Sequence, residues 1–301
     1  MIDKFFLVFI SLLLESIPFI LIGSIISSLI HMFVSEEFIK KIIPKNIFFA
    51  LIITSFTGII FPVCECAIIP IGRRLIKKGV PLPIAVTFML SVPIVNPIVI
   101  MSTYYAFSSN HLIFFMRIVF GIVNSIIIGY LIHISYKNKE IPIKEDIDTD
   151  TYICNCGCED LDFNNYSRIR VLLNHTKSEF FSVLKYLIFG AFISSLFKVT
   201  VKGEVFTYFS KNLILSVVIM IILAFILSVC SEADAFIAST FALNFTGGSV
   251  IAFLVLGPML DIKNILMLLG NFKKEFVIKL SIYIISVTFI SSVLFNILGG
   301  A

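Results

Sequence analysis

The chain has 301 residues, 58% hydrophobic and 14% charged, with a formal net charge of +4 and a mean hydropathy of +1.05. Soluble domains carry roughly 25% charged residues and about 45–50% apolar ones, so the composition excludes an ordinary water-soluble fold. The few positive charges are scattered over loops, which excludes a nucleic-acid partner, and no P-loop or dinucleotide-type glycine fingerprint supports nucleotide-driven pumping.

The apolar residues fall in runs long enough to cross a hydrocarbon core of about 30 Å at 1.5 Å per helical residue. They lack period-two polar alternation, so they predict helices and not barrel strands. In the first half the runs are 4–34, 47–62, 82–107 and 112–135. The first contains Glu15 and no small-residue cleavage site, and is expected to be retained, not removed as a signal peptide. The second half repeats the pattern with 179–198, 212–230, 247–269 and 275–298. Two shorter stretches, 64–78 and 232–245, read either as short fifth helices or as parts of re-entrant hairpins. The expected fold is an all-α polytopic membrane protein with 8–10 membrane helices, four to five per half.

The two halves share landmarks in order. Gly23 to Ile30 recurs as Gly190 to Phe197, an offset of 167 (190 − 23). Val63-Cys64 recurs as Val229-Cys230, an offset of 166 (230 − 64). Val92-Pro93-Ile94-Val95-Asn96 recurs as Gly257-Pro258-Met259-Leu260-Asp261, an offset of 165 (258 − 93). Transporters are often built from such repeats, with the binding site where the repeats meet. The organisation expected is therefore membrane repeat 1 over 1–135, a polar cytoplasmic connecting loop over 136–178, and membrane repeat 2 over 179–301. With five helices per half, Lys40, Lys41, Lys45, Arg73, Arg74, Lys77, Lys78, Lys273 and Lys274 fall on one side with the connecting loop. That arrangement obeys the positive-inside tendency and makes the repeats inverted.

Three constellations carry chemistry. In Pro62-Val63-Cys64-Glu65-Cys66 the proline should end or kink a helix, and an ionisable residue at membrane depth is a functional hint. Its counterpart Cys230-Ser231-Glu232-Ala233-Asp234 also carries acids. Protons are the coupling ion that Glu65 or Glu232 would handle. Cys64, Cys66 and Cys230 are soft ligands suited to thiophilic species such as trivalent arsenic or monovalent copper, although cysteine also serves as a small apolar filler. The second constellation is Pro93-Ile94-Val95-Asn96-Pro97 with Pro258-Met259-Leu260-Asp261, which predicts discontinuous helices with a polar side chain at each break. In the third, Cys154, Cys156 and Cys158 in the connecting loop offer a soft-metal clip that cytosolic reduction would keep as thiols. Asn124, Arg117 and His133 are weaker polar points, and Arg117 is expected to reach the interface or pair locally.

The Phe61-Pro62-Val63-Cys64-Glu65-Cys66 stretch, the Arg73-Arg74 to Lys77-Lys78-Gly79 loop, Pro93-Ile94-Val95-Asn96-Pro97 and Cys230-Ser231-Glu232-Ala233-Asp234-Ala235-Phe236 resemble the uncharacterised permease family that includes the ArsP-type organoarsenical efflux permeases. The resemblance implies a multi-pass permease of the bacterial inner membrane. It implies no enzymatic activity and no cofactor, and export of a small solute such as a trivalent organoarsenical or another metalloid. It carries functional weight to Cys64, Glu65, Cys66, Pro93, Asn96, Pro97, Cys230, Glu232, Asp234, Pro258 and Asp261. The residues also admit a membrane thiol, redox or metal-handling protein using Cys64-Glu65-Cys66, or a non-transporting assembly protein.

Overall fold

The computed structural model describes residues 2–33, 44, 46–60, 63, 65–108, 110–137, 141–144, 165–200, 212–242 and 244–298. Among these the secondary structure is helical, with a lone antiparallel bridge between Ile143 and Phe272. The first six helices are α1 Ile2–Phe33, α2 Ile47–Ser55, α3 Glu65–Lys77, α4 Leu82–Val95, α5 Pro97–Ala106 and α6 His111–Tyr136. The next six are α7 Asn165–Thr200, α8 Leu213–Leu227, α9 Asp234–Phe241, α10 Gly247–Met259, α11 Ile262–Asn271 and α12 Lys274–Ile297. A short 3-10 turn, Thr57–Ile59, follows α2.

Asn and Asp side chains set where several of these helices begin. A helix start leaves backbone N–H groups without intrahelical acceptors, and a short polar side chain supplies one. Asn46 accepts from Phe48 N–H at the start of α2, and Asn212 accepts from Ile214 N–H at the start of α8. Asn96 accepts from Ile98 N–H to begin α5, and Asp261 from Asn264 N–H to begin α11.

By length and composition, four spans among the described residues can cross a membrane: Asp3–Ile26, His111–Tyr136, Gly247–Asn271 and Lys274–Ile297. The pair α4 and α5, bent by 42° at Asn96, makes a fifth. Ile47–Ile59 and Leu213–Leu227 are apolar but shorter than a standard crossing. Three sequence expectations change in detail. The run 47–62 gives up its helix at Ser55, and the doubtful stretches resolve into the short helices α3 and α9. The helix α7 begins at Asn165, inside the stretch read as connecting loop. The first residues of that stretch are also docked: Arg73 donates to the Lys144 carbonyl at 3.0 Å, Lys144 Nζ donates to the Leu269 carbonyl at 2.5 Å, and Lys273 N–H donates to the Pro142 carbonyl.

Helices α4 and α10 form the centre, with every residue of α4 and all but the first of α10 buried. Each packs against a long outer helix, α4 on α6 and α10 on α12, and each is backed by a shorter one, α2 and α8. Helices α6 and α12 run antiparallel: Phe120 meets Phe295, Asn124 donates to Ser291, Ser135 bonds Tyr283, and Tyr136 meets Phe276. Helices α1 and α7 lie along one another, with Phe5 and Phe9 against Phe192. Across the molecule α3 packs on α11, and α9 on α5. Two glycines bring the outer pair close. Gly23 of α1 sits directly on Ala67 of α3, and Gly190 of α7 lies 3.0 Å from the Lys263 Cα of α11, measured from where a Cβ would stand. Such small-residue approaches are how membrane helices gain packing without a hydrophobic driving force.

Candidate functional site

Both proline motifs break their helices at the polar residue. Pro93 and Pro258 lie in the last turns of α4 and α10, where each ring removes a backbone donor and crowds the preceding turn. The chain turns extended at Asn96 (φ −64°, ψ 132°) and around Asp261 (φ −135°, ψ 178°), and a new helix starts. Pro97 occupies the first helical position of α5, where no N–H is needed. Asn96 and Asp261 are both buried. Each therefore satisfies backbone donors at a break that has no water to satisfy them.

The second break, 228–233, contains the one left-handed non-glycine residue among those described, Ser228 at φ 47°. Its Oγ donates to Asp261 Oδ2 at 2.6 Å. The same carboxylate oxygen lies 3.6 Å from Lys263 Nζ, which in turn lies 3.7 Å from Glu65 Oε1 in the first turn of α3. All three charged side chains are at most 1% exposed. Two carboxylates from different halves thus share one ammonium. A cation in the first turn of α11 is disfavoured by the helix dipole, so these acids are what hold Lys263 there.

A second buried cluster lies at the other end of the same break. Arg117 of α6 donates to Asp234 Oδ2 at 2.7 Å, to Thr103 Oγ1 at 2.7 Å and to the Ser231 carbonyl at 3.3 Å. Arg117 was expected to pair locally or reach the interface. It instead reaches 117 residues along the chain, because α9 and α5 pack together beside α6. Between the clusters, the Cys230 thiol donates to Glu232 Oε2 at 3.4 Å. The segment 228–234 therefore connects the Glu65–Lys263–Asp261 cluster, through Ser228, to the Arg117–Asp234 pair.

Beside the first cluster lies a small cavity of about 20 Å³, room for about one water molecule, lined by Glu65, Asn264, Met89, Met259, Leu90 and Ile68, among others. The Asn264 Oδ1 is buried and makes no hydrogen bond. Among the described residues no three His, Cys, Asp or Glu side chains stand close enough to hold a metal ion. Cys64, the Cys66 side chain and the loop thiols Cys154, Cys156 and Cys158 lie outside the described residues. Lys263 is the residue sequence reasoning missed, although it stands inside the apolar run 247–269, where a cation should draw notice.

Comparison with known proteins places this geometry in context. A family model described as a predicted permease, of the ArsP type, matches residues 1–297. A UPF0718 protein of Bacillus subtilis is 46% identical over 287 residues, covering 95% of each chain. A Streptococcus mutans protein, provisionally described as a two-component membrane permease complex subunit, is 37% identical over 273 residues, covering 90% of this chain and 88% of that one. A UPF0718 protein of Methanocaldococcus jannaschii matches over 122 residues at 32% identity, 40% of this chain and 32% of its own. No solved structure matches.

Proposed function

We propose, for a chain that belongs to the ArsP-type predicted-permease family, that it moves a small solute past the 228–234 segment between its halves and exchanges a proton at Glu65, which lies in a cluster with Lys263 and Asp261. Family membership and the apolar helices make it a multi-pass integral protein of the cell membrane, acting as a non-enzymatic transporter. The observation that carries the proton role is the buried Glu65–Lys263–Asp261 cluster at two helix starts. A proton taken up by Glu65 leaves the ammonium balanced by Asp261, so the cluster can change protonation without stranding a bare charge at membrane depth.

The cargo proposed is a thiophilic solute such as a trivalent organoarsenical, moved outward. Met89 and Met259 line the small cavity beside Glu65, and their thioethers suit a soft, alkylated or arylated centre once the helices around it part. Cys230 lies on the break between the clusters, and Cys64 and Cys66 flank Glu65 in sequence. Asn96, Asp234 and Glu232 complete the pathway, with Cys154, Cys156 and Cys158 as a capture site on the connecting loop. The name of the Streptococcus relative adds a second membrane subunit as a proposed partner.

Two related, inverted halves belong to the same proposal. The six helices of each half follow the same succession of long, short, short, central, short and long elements. Asn46 and Asn212 cap the second helix of each half, and Asn96 and Asp261 the fifth. The corresponding helices α6 and α12 run antiparallel, as inversion requires. On this view α2 and α8 are short crossings and the span count reaches 8–10.

The test is flux of a trivalent methylarsenical in sealed vesicles, with and without a proton gradient. Gradient-dependent flux is expected in the native protein and its loss in Glu65→Gln. Full gradient-driven flux in Glu65→Gln would remove the proton role. Undiminished flux with Cys64, Cys66 and Cys230 all changed to Ser would remove the thiophilic cargo.

A further inference from the structure

We propose that the α5–α9 face is a second seat for the α1–α7 helix pair, and that the pair moves between it and the α3–α11 face it now covers. The inference rests on the two related halves proposed above. It differs from a rocking of one half against the other, because α4, α6, α10 and α12 stay together while the peripheral pair moves.

The present packing is lopsided. Helix α1 packs on α3 and α7 packs on α11, and under this cover Ala67, Ile68, Ile69, Ile71, Lys263 and Asn264 are all buried. Helices α9 and α5 stand to each other as α3 and α11 do, yet none of the described helices covers their outer side. Ile98 is 47% exposed, Met101 50%, Tyr104 44% and Phe236 52%.

The repeat register says what would seat there. Ala67 answers to Ala233 at the Cys64/Cys230 offset of 166, and Lys263 answers to Ile98 at the Asn96/Asp261 offset of 165. The glycines answer to one another, Gly23 to Gly190. The observed contacts are Gly23 on Ala67 and Gly190 on Lys263. Exchanging the halves puts Gly190 on Ala233 and Gly23 on Ile98. The receiving position is again alanine, so the close approach that Gly23 needs from Ala67 is available to Gly190 at Ala233. Only 19% of the apolar window of α1 is buried, and lipid solvates an apolar helix face as well as another helix does. Moving the pair therefore gives up the packing of α1 on α3 and of α7 on α11, and uncovering the cluster requires its charges to stay paired or to be neutralised. In the present seat Gly190 lies over Lys263 and the pair closes over the Glu65–Lys263–Asp261 cluster. In the second seat the pair would release that cluster and close over Arg117–Asp234.

The experiment places a benzoylphenylalanine photoprobe at Ile98 of the full chain in native membrane vesicles, irradiates, and maps adducts by peptide mass spectrometry. Covalent capture accumulates even a minor seat, so an adduct within one chain to the α1 segment around Gly23 is expected. The same probe at Ile282, 55% exposed on α12, should give none. Adducts at Ile98 to lipid alone, or to a second copy at doubled mass, would overturn the proposal. Ala233→Leu fills the second seat at a half-buried position and should abolish the adduct, whereas Ala233→Gly should preserve it. An unchanged adduct in Ala233→Leu would overturn the register. Capture at Ile98 needs neither cargo nor Glu65, so this result and the flux result for Glu65→Gln fail independently.

Discussion

Replacing Lys263 by Met is the most direct perturbation of the buried cluster, since it removes the charge and keeps most of the side-chain volume. At an effective dielectric of about 20, separations of 3.7 and 3.6 Å each correspond to about 4.5 kcal/mol of attraction. Desolvation of all three groups offsets most of that, so the intact cluster adds little net stability. Removing the ammonium is different, because it leaves two carboxylates buried and mutually repelling, at a cost of about 3–5 kcal/mol. At about 2–4 °C per kcal/mol for a chain of this size, thermal unfolding in detergent should fall by about 6–20 °C. The double variant Lys263→Met/Glu65→Gln should recover more than half of the loss. Asp261 keeps its bonds from Ser228 Oγ and Asn264 N–H, and the side chain at 65 has become neutral. A Lys263→Met protein as stable as the native one, or a double variant no better than the single, would refute the coupling.

The second cluster, the breaks and the glycine crossing each give a similar test by thermal unfolding. Arg117→Lys keeps the charge but cannot serve Asp234, Thr103 and the Ser231 carbonyl together, and should lose about 1.5–3 kcal/mol. Asn96→Ala should lose about 1 kcal/mol through the missing cap, while Asn96→Ser, which keeps a capping oxygen without adding charge, should lose less. Ser228→Ala should be less stable than Ser228→Gly, because both lose the bond to Asp261 but only alanine keeps the left-handed strain, about 1–2 kcal/mol. Gly23→Ala should lose about 1–3 kcal/mol by overpacking against Ala67, and Ala67→Gly in the same chain should restore it.

Much of this arrangement was legible in the chain because it rests on local covalent chemistry. Proline is disfavoured inside a helix and Asn or Asp can start one, so Pro93 with Asn96 and Pro258 with Asp261 announce breaks, whereas Pro18 and Pro70, with no such partner, stand inside continuous helices. Glu65 and Asp234 stood out because acids among apolar residues are rare. Lys263 did not, since in Asp261-Ile262-Lys263-Asn264 it resembles part of a polar turn. Its burial depends on α3 bringing Glu65 to it and on Gly190 letting α7 lie over it, both long-range facts. The role of Arg117 was hidden for the same reason: its acceptors come from α5, α9 and the 228–233 break, and no local pattern encodes that meeting. The C-terminal end of α2 and the start of α7 differ from the sequence reading because hydropathy marks where a segment can be buried and not where its hydrogen bonding stops.

The two clusters also bear on what kind of membrane protein this is. A static scaffold gains nothing from burying Glu65, Asp261, Lys263, Arg117 and Asp234, since well-packed apolar side chains of similar volume hold helices together at least as well. Nor do the breaks need charge, because Asn96 caps α5 with a neutral side chain at the position where Asp261 caps α11. What ionic groups offer that apolar ones cannot is a state that changes with a proton or a ligand. Both clusters stand at junctions between helices, Glu65 on α3 against Lys263 on α11, and Asp234 on α9 against Arg117 on α6. Each can therefore convert a local change of charge into a change in how those helices meet. The first sits directly beneath the Gly190 contact that seats α7. Protonation there would act on one of the contacts, with Gly23 on Ala67, by which the α1–α7 pair sits on α3 and α11.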